Sequence, residues 1–263
     1  MRIACPLLAL ALLAACQQKP ADGDELVIAA STNSAACEPV MFEDSPLTHC
    51  IADPRHHRIR MVLGRDGGPP YRSLVALKDD RPGDAPTVAF AMNGGMFDEE
   101  GQPVGYYVSS GRRLTILNQN EGPGNFHLKP NGVFFGSGDN WQVLDSETFA
   151  ETVTQRPDFA TQSGPMLVID GELHEAFDAD GESTKIRNGV GVDAGGRAHF
   201  VISEAPISFG KFARYFRDVA KTPNALVLDG SVSALWDPAR GRMDERAPLG
   251  PLIVVENKPK GAP

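Results

Sequence analysis

The stretch HFVISEAPISFGKFARYFRDVAKTPNALVLDGS, residues 199–231, carries the reading of the fold. His199-Phe200-Val201-Ile202 is an apolar run of strand length. From Ser208 onward, Phe209, Phe212, Ala213, Phe216, Val219 and Ala220 recur at helical spacing, while Lys211, Arg214, Asp218 and Lys221 fall on the opposite face. Ser208 is suited to cap the first turn, and Pro223 lies just past the last. Ala225-Leu226-Val227-Leu228 then reads as a buried strand. Strand, helix and strand make a βαβ unit, which places the chain in the mixed α/β class.

Outward from that unit, strand signals dominate. Thr87 to Met92 is a short apolar run that enters the turn Asn93-Gly94-Gly95. Tyr106-Tyr107-Val108 and Arg113-Leu114-Thr115 flank Ser109-Ser110-Gly111, and Met166-Leu167-Val168-Ile169 meets Asp170-Gly171. Val190-Gly191-Val192 and residues 199–202 flank Asp193-Ala194-Gly195-Gly196. Each pattern predicts a hairpin. The expected fold is α/β (mixed): a β-rich single domain with a mixed sheet, several hairpins and few helices including one βαβ unit. Its expected bounds are 37–257, followed by a disordered tail over 258–263.

The 263 residues are 41% hydrophobic and 22% charged, a globular composition. The balance of 25 Lys+Arg against 34 Asp+Glu gives −9, which argues against a nucleic-acid surface. An anionic substrate would then need a local cationic cluster. Arg2 precedes an apolar run from Ile3 to Ala15, too short to span a bilayer and of signal-peptide length. It ends Leu13-Ala14-Ala15-Cys16, which resembles a bacterial lipobox in which Cys16 becomes the lipidated first residue. Gln17 is not the Asp that signals inner-membrane retention. The expectation is a signal peptide over 1–15, a flexible tether over 16–36, and a lipid-anchored protein of the bacterial cell envelope, on the periplasmic face of the outer membrane. Cys5 leaves with the signal, so Cys37 and Cys50 remain in an oxidising compartment and are expected to form a disulfide. A metal pair is the weaker alternative, because His49 with two cysteines makes an incomplete site.

Chemistry is expected where strands end in polar turns. Asp229-Gly230-Ser231 follows a buried strand, the position at which functional side chains gather beyond strand carboxyl ends. A plain Asp-Gly turn would look the same. Asn93-Gly94-Gly95 has the same construction, with glycines that admit close backbone approach. Lys185, Arg187 and Asn188 precede the glycine-punctuated strand Gly189-Val190-Gly191, and polar groups crowd Asn125 to Gly132. Arg187 and Lys129 are the cations chosen for a phosphate, one as a bidentate fork and one as a point charge. No metal or cofactor is expected. His56 and His57 would point apart on a strand, and Asp178-Ala179-Asp180-Gly181-Glu182 lacks the pattern of a calcium loop. Ser208-Phe209-Gly210-Lys211 matches S-x-x-K without the partner motifs of penicillin-recognising enzymes.

Four segments occur in order: Asn93-Gly94-Gly95-Met96-Phe97, Gly164-Pro165-Met166-Leu167, Arg187-Asn188-Gly189-Val190-Gly191, and Leu228-Asp229-Gly230-Ser231-Val232-Ser233. Together they resemble the phosphodiester glycosidase family over roughly Thr87 to Val255. The Asn125–Phe135 stretch and the Ser208 helix are similar to a bacterial envelope branch of it. The loop after Asp229 is less glycine-rich here than in that family. The resemblance implies a hydrolase that cleaves the glycosidic bond of a sugar phosphodiester. It implies catalytic roles for Asp229, Arg187 and Asn93. Substrate-binding roles fall to Gly94, Asn188, Ser231 and Ser233, with His127 and Lys129 added on the same logic. Phosphate is a good leaving group, so one carboxylate and a cation suffice where ordinary glycosidases need two carboxylates. Expected partners are a sugar-phosphate or glycan and, through lipid, a membrane. Two rival classes are a non-catalytic envelope lipoprotein that binds glycan or anionic polymer, and an acyl-hydrolase using Ser208 or Ser231.

Overall fold

The computed structural model describes residue 1 and residues 36–259. Apart from residues 1 and 36, the expected signal peptide and tether lie outside the described residues, as do Cys5 and Cys16. The strands at the two ends of the opening stretch, Ala198–Ser203 (β13) and Asn224–Val227 (β14), belong to one seven-stranded sheet. Its other members are Cys37–Phe42 (β1), Ser45–Ala52 (β2), Met166–Ile169 (β10), Glu172–Leu173 (β11) and Asn188–Val192 (β12), in the order β1-β2-β13-β12-β14-β10-β11. Every pairing in it is antiparallel. β13 and β14 therefore run parallel to each other, but with β12 inserted between them. The expected βαβ crossover exists in this split form, and neighbouring strands of the sheet are not mixed in direction.

The crossover helix begins at Phe209, with the Ser208 hydroxyl accepting the Lys211 N–H as the cap. It runs as α-helix over Phe209–Arg214 (α3) and widens to a π-helix over Tyr215–Val219. Phe212 and Phe216 press on the sheet where β12 carries glycines: a Cβ on Gly189 would sit 3.3 Å from each ring. The glycine punctuation of this strand thus serves helix packing. Along β14 and its extension the side chains alternate: Leu226 and Leu228 enter the main core, and Ala225 and Val227 join the helix-side cluster. That double burial explains an unbroken apolar run.

Two five-stranded sheets complete the fold. One has the order β16-β15-β4-β17-β3, formed by His57–Val62 (β3), Val88–Asn93 (β4), Leu235–Asp237 (β15), Arg242–Met243 (β16) and Leu252–Asn257 (β17). The other has the order β6-β5-β9-β7-β8, formed by Tyr107–Ser109 (β5), Arg112–Thr115 (β6), Gly132–Ser137 (β7), Asn140–Asp145 (β8) and Phe159–Ser163 (β9). Short helices Leu74–Asp79 (α1) and Ser146–Thr152 (α2) are capped by Ser73 and Asp145. The main core draws Phe200 and Cys50 from the first sheet, Phe90 and Ile253 from the second, and Phe134 and Trp141 from the third. The fold is β-rich, and the described residues 36–259 belong to one compact unit.

The expected hairpins at 107–115, 166–173 and 188–203 are present. The tight turns Ser110-Gly111 and Asp170-Gly171 have positive φ at both residues, as two-residue hairpin turns require. Hairpin β1-β2 pairs Cys37 directly with Cys50, and the two form a disulfide. At the other end, the Lys258 amide donates to the His56 carbonyl, and its ammonium pairs with Asp139 at 2.7 Å. Ordered contacts therefore extend one residue past the expected bound of 257.

Candidate active site

Four chain segments meet beyond the strand ends of two sheets. β12 and β14 pair Gly189 with Val227, and the Leu228 amide donates to the Asn188 carbonyl. Continuing that register sets Arg187 opposite Asp229, both on the helix side of the sheet. The turn after β4 joins them, because the Asp229 amide donates to the Gly94 carbonyl at 3.0 Å. The fourth segment is 125–131, which closes in over Gly164, where a Cβ would lie 2.9 Å from the Phe126 carbonyl oxygen. These segments enclose a cleft of about 490 Å³ lined by Arg187, Asp229, Ser231, Lys185, Asn125 and Phe97.

Asp229 is buried, and its Oδ1 accepts both the Ser231 hydroxyl, at 2.5 Å, and the Ser231 amide, at 3.1 Å. Burial pushes its carboxyl above the ordinary range, against the pull of these two donors. Arg187 is buried without a carboxylate partner among the described residues. Its Nε donates to the Ile207 carbonyl and one Nη2–H to the Ser183 carbonyl, both at 2.9 Å. The guanidinium lies over the Phe209 ring at 3.4 Å. Burial lowers its pKa to about 10, which leaves it cationic at neutral pH. Held by neutral groups, this buried cation keeps its charge uncancelled beside the cleft, an arrangement chemically suited to an anion.

Asn93, expected to be catalytic, is tied into the protein's own polar network. Its Nδ2 donates to the Asp229 carbonyl, and its Oδ1 accepts from Asn188 Nδ2 and the Ala234 amide. Ser233 Oγ reaches Asn188 Oδ1 and the Gly230 carbonyl. Asn93, Asn188 and Ser233 therefore form a buried polar network behind the Asp229 loop, which ties these side chains to the protein itself. Gly94 and Gly95 are needed for protein packing: a Cβ on Gly95 would lie 2.2 Å from the Gln162 carbonyl oxygen. Ser231 does line the cleft.

Lys129 and His127 are not brought to it. The Lys129 ammonium donates to the Gln119 carbonyl and lines a separate depression with Asp145 and Glu147. His127 Nδ1 donates to the Asn120 carbonyl. The second cation of the cleft is instead Lys185, noted in the sequence beside Arg187 but not chosen there as a phosphate ligand. A usable signal existed: Lys185 stands two residues before Arg187 in an extended segment, where alternate side chains share a face. Ser208 is occupied as a helix cap, and Asp180 pairs with Arg214, so neither supports its rival reading. No cluster of three metal-ligating side chains occurs among the described residues.

A family model described as phosphodiester glycosidase matches residues 86–255. The chain belongs to the phosphodiester glycosidase family. The uncharacterized protein YigE of Escherichia coli (strain K12) is 34% identical over 206 residues, which are 78% of this chain and 80% of that protein. Among solved structures, the catalytic domain of zebrafish N-acetylglucosamine-1-phosphodiester alpha-N-acetylglucosaminidase, auto-inhibited by its pro-peptide, superposes with a TM-score of 0.56 at 14% identity. The match covers 87% of this chain and 85% of that one. A hypothetical protein from Synechocystis gives 0.50 at 17% identity, covering 84% of this chain and 61% of that one. At these identities the likeness speaks for the fold alone. In this member of the family, the matched segment contains all the residues that line the cleft.

Proposed function

We propose that this chain hydrolyses the glycosidic bond of a sugar phosphodiester, with Asp229 and Arg187 as the catalytic pair. One observation carries the reading: the cleft holds a single carboxylate, Asp229, together with the buried Arg187 and the exposed Lys185. A glycosidase acting on an alcohol leaving group needs a second carboxyl group to protonate it. A phosphate leaves as a stable anion, and the chemistry then needs cations on the leaving group and one base near the anomeric carbon. Asp229 takes a proton from the attacking water as the bond between the anomeric carbon and the bridging oxygen breaks. The phosphomonoester departs with one more negative charge than the diester carried. Arg187 meets the charge already present, and Lys185 the charge that develops. Phe97 supplies an apolar part of the wall against which the sugar would rest.

The envelope location and lipid anchoring at Cys16 belong to the same proposal, supported by the Cys37–Cys50 bridge, which suits an oxidising compartment. The test incubates the protein with a glycosyl 1-phosphodiester and measures free sugar and phosphomonoester. Equal release of both is expected, and it should be lost in Arg187→Lys, whose point charge cannot reproduce a planar fork. Binding without any release would turn the reading into that of a non-catalytic glycan-binding protein.

A further inference from the structure

Behind Arg187 runs a continuous aromatic stack. The guanidinium lies on Phe209, Phe209 stacks on Phe177 with centroids 4.8 Å apart and planes within 8°, and Phe177 stacks on His174 at 4.6 Å. We infer that His174, Phe177 and Phe209 form a positioning column that fixes the Arg187 guanidinium while leaving its charge free for a phosphate. The inference deepens the proposed function and rests on it in taking phosphate as the ligand.

The physical case starts from what orients a buried arginine. Arg214 is fixed by Glu43 and Asp180, and Arg242 by Glu204 and Asp244. A carboxylate orients the fork well but cancels the charge that an incoming anion needs. A ring face and backbone carbonyls orient it without neutralising it. Arg187 has this second arrangement, and Nη1 has no acceptor among the described residues.

The column is itself braced. Segment 174–183 is strapped over the start of α3 because Gly210 lacks a side chain: a Cβ there would lie 2.2 Å from the Asp178 carbonyl oxygen. Arg214 Nη1 donates to the Ala179 carbonyl and ties the strap down. At the far end, His174 Nδ1 accepts the Ala176 amide, so Nε2 carries the proton and donates to the Lys129 carbonyl. That imidazole is neutral, and burial keeps its pKa below the ordinary value. The pair of bonds fixes the ring plane on which Phe177 rests. The strap also supplies the Ser183 carbonyl that holds Nη2.

The experiment uses the full chain with ¹⁵N-labelled arginine. In the wild type, the Arg187 Nε–H should give a sharp signal shifted upfield by the Phe209 ring, and inorganic phosphate should perturb it. Phe209→Leu should move that signal to the ordinary position and broaden it. It should weaken phosphate binding about tenfold or more, and kcat/KM should fall in parallel. Phe209→Tyr should restore all three, and Phe177→Leu should shift them in the same direction by less. Phe177→Leu also decides the matter if Phe209→Leu fails to fold. Wild-type Arg187 signal and phosphate affinity in the leucine variants would overturn the inference, as would a wild type that does not bind phosphate. Intact phosphate binding and intact variant effects, with no glycosyl phosphodiester hydrolysed, would leave the column standing and sink the proposed reaction.

Discussion

At the scale of single residues, Asp229 and Asn93 should separate chemistry from support. Burial raises the folded-state pKa of Asp229, so this carboxyl adds most to stability when protonated, at pH below the ordinary value of 3.8. That contribution is lost as pH rises through the folded-state value. Asp229→Asn removes the charged form and keeps the size, so thermal stability at neutral pH should match or exceed the wild type while turnover falls about 10²- to 10⁴-fold. A large drop in melting temperature would contradict this. Asn93→Ala should do the opposite first: it strips partners from the Asp229 carbonyl, Asn188 and the Ala234 amide, at a cost of roughly 1–3 kcal/mol. Its activity should fall along with its melting temperature, and an active-site-only effect would refute the supporting role. The sequence marked Asp229 and Arg187 because strand ends and cations are visible locally. It could not show that Asn93 is tied into a buried network, since its partners lie 95 to 141 positions away along the chain.

At the scale of elements, β2, β13 and the π-helix share a buried polar relay that no local pattern announces. Asp193 accepts from His199 Nε2, His199 Nδ1 then accepts from His49 Nε2, and His49 Nδ1 accepts the Tyr215 hydroxyl. Arg197 flanks Asp193 at 2.7 Å. Burial, then the neighbouring His199 and Arg197, hold His49 down to about 4 from 6.5. The unfolded chain therefore binds more protons than the folded one between those values, and stability falls as pH drops through the window, by ~3 kcal/mol for His49 alone. Denaturation of the wild type from pH 7 to 4 should show this slope, and His49→Gln should flatten it; equal slopes would contradict the relay. The helix and hairpins were legible because their periodicity and turn residues lie within a few positions of one another. The split of the βαβ unit was not, because nothing in 199–231 reveals that β12 returns between its two strands.

At the scale of the whole molecule, three sheets share one core, and the Cys37–Cys50 bridge staples the edge strand β1 to it. Reduction should cost about 3 kcal/mol and leave the cleft residues in place. Unfolding midpoints should shift with and without reductant while specific activity at low temperature stays constant; equal midpoints would show that the bridge contributes nothing. The central claim is that the bond broken lies between the sugar and the bridging oxygen, with Asp229 directing water at carbon. Hydrolysis of a glycosyl 1-phosphodiester in H₂¹⁸O, followed by mass spectrometry of both products, tests it most directly. The account predicts ¹⁸O in the released sugar and none in the phosphomonoester; label in the phosphate would mean attack at phosphorus and would contradict it.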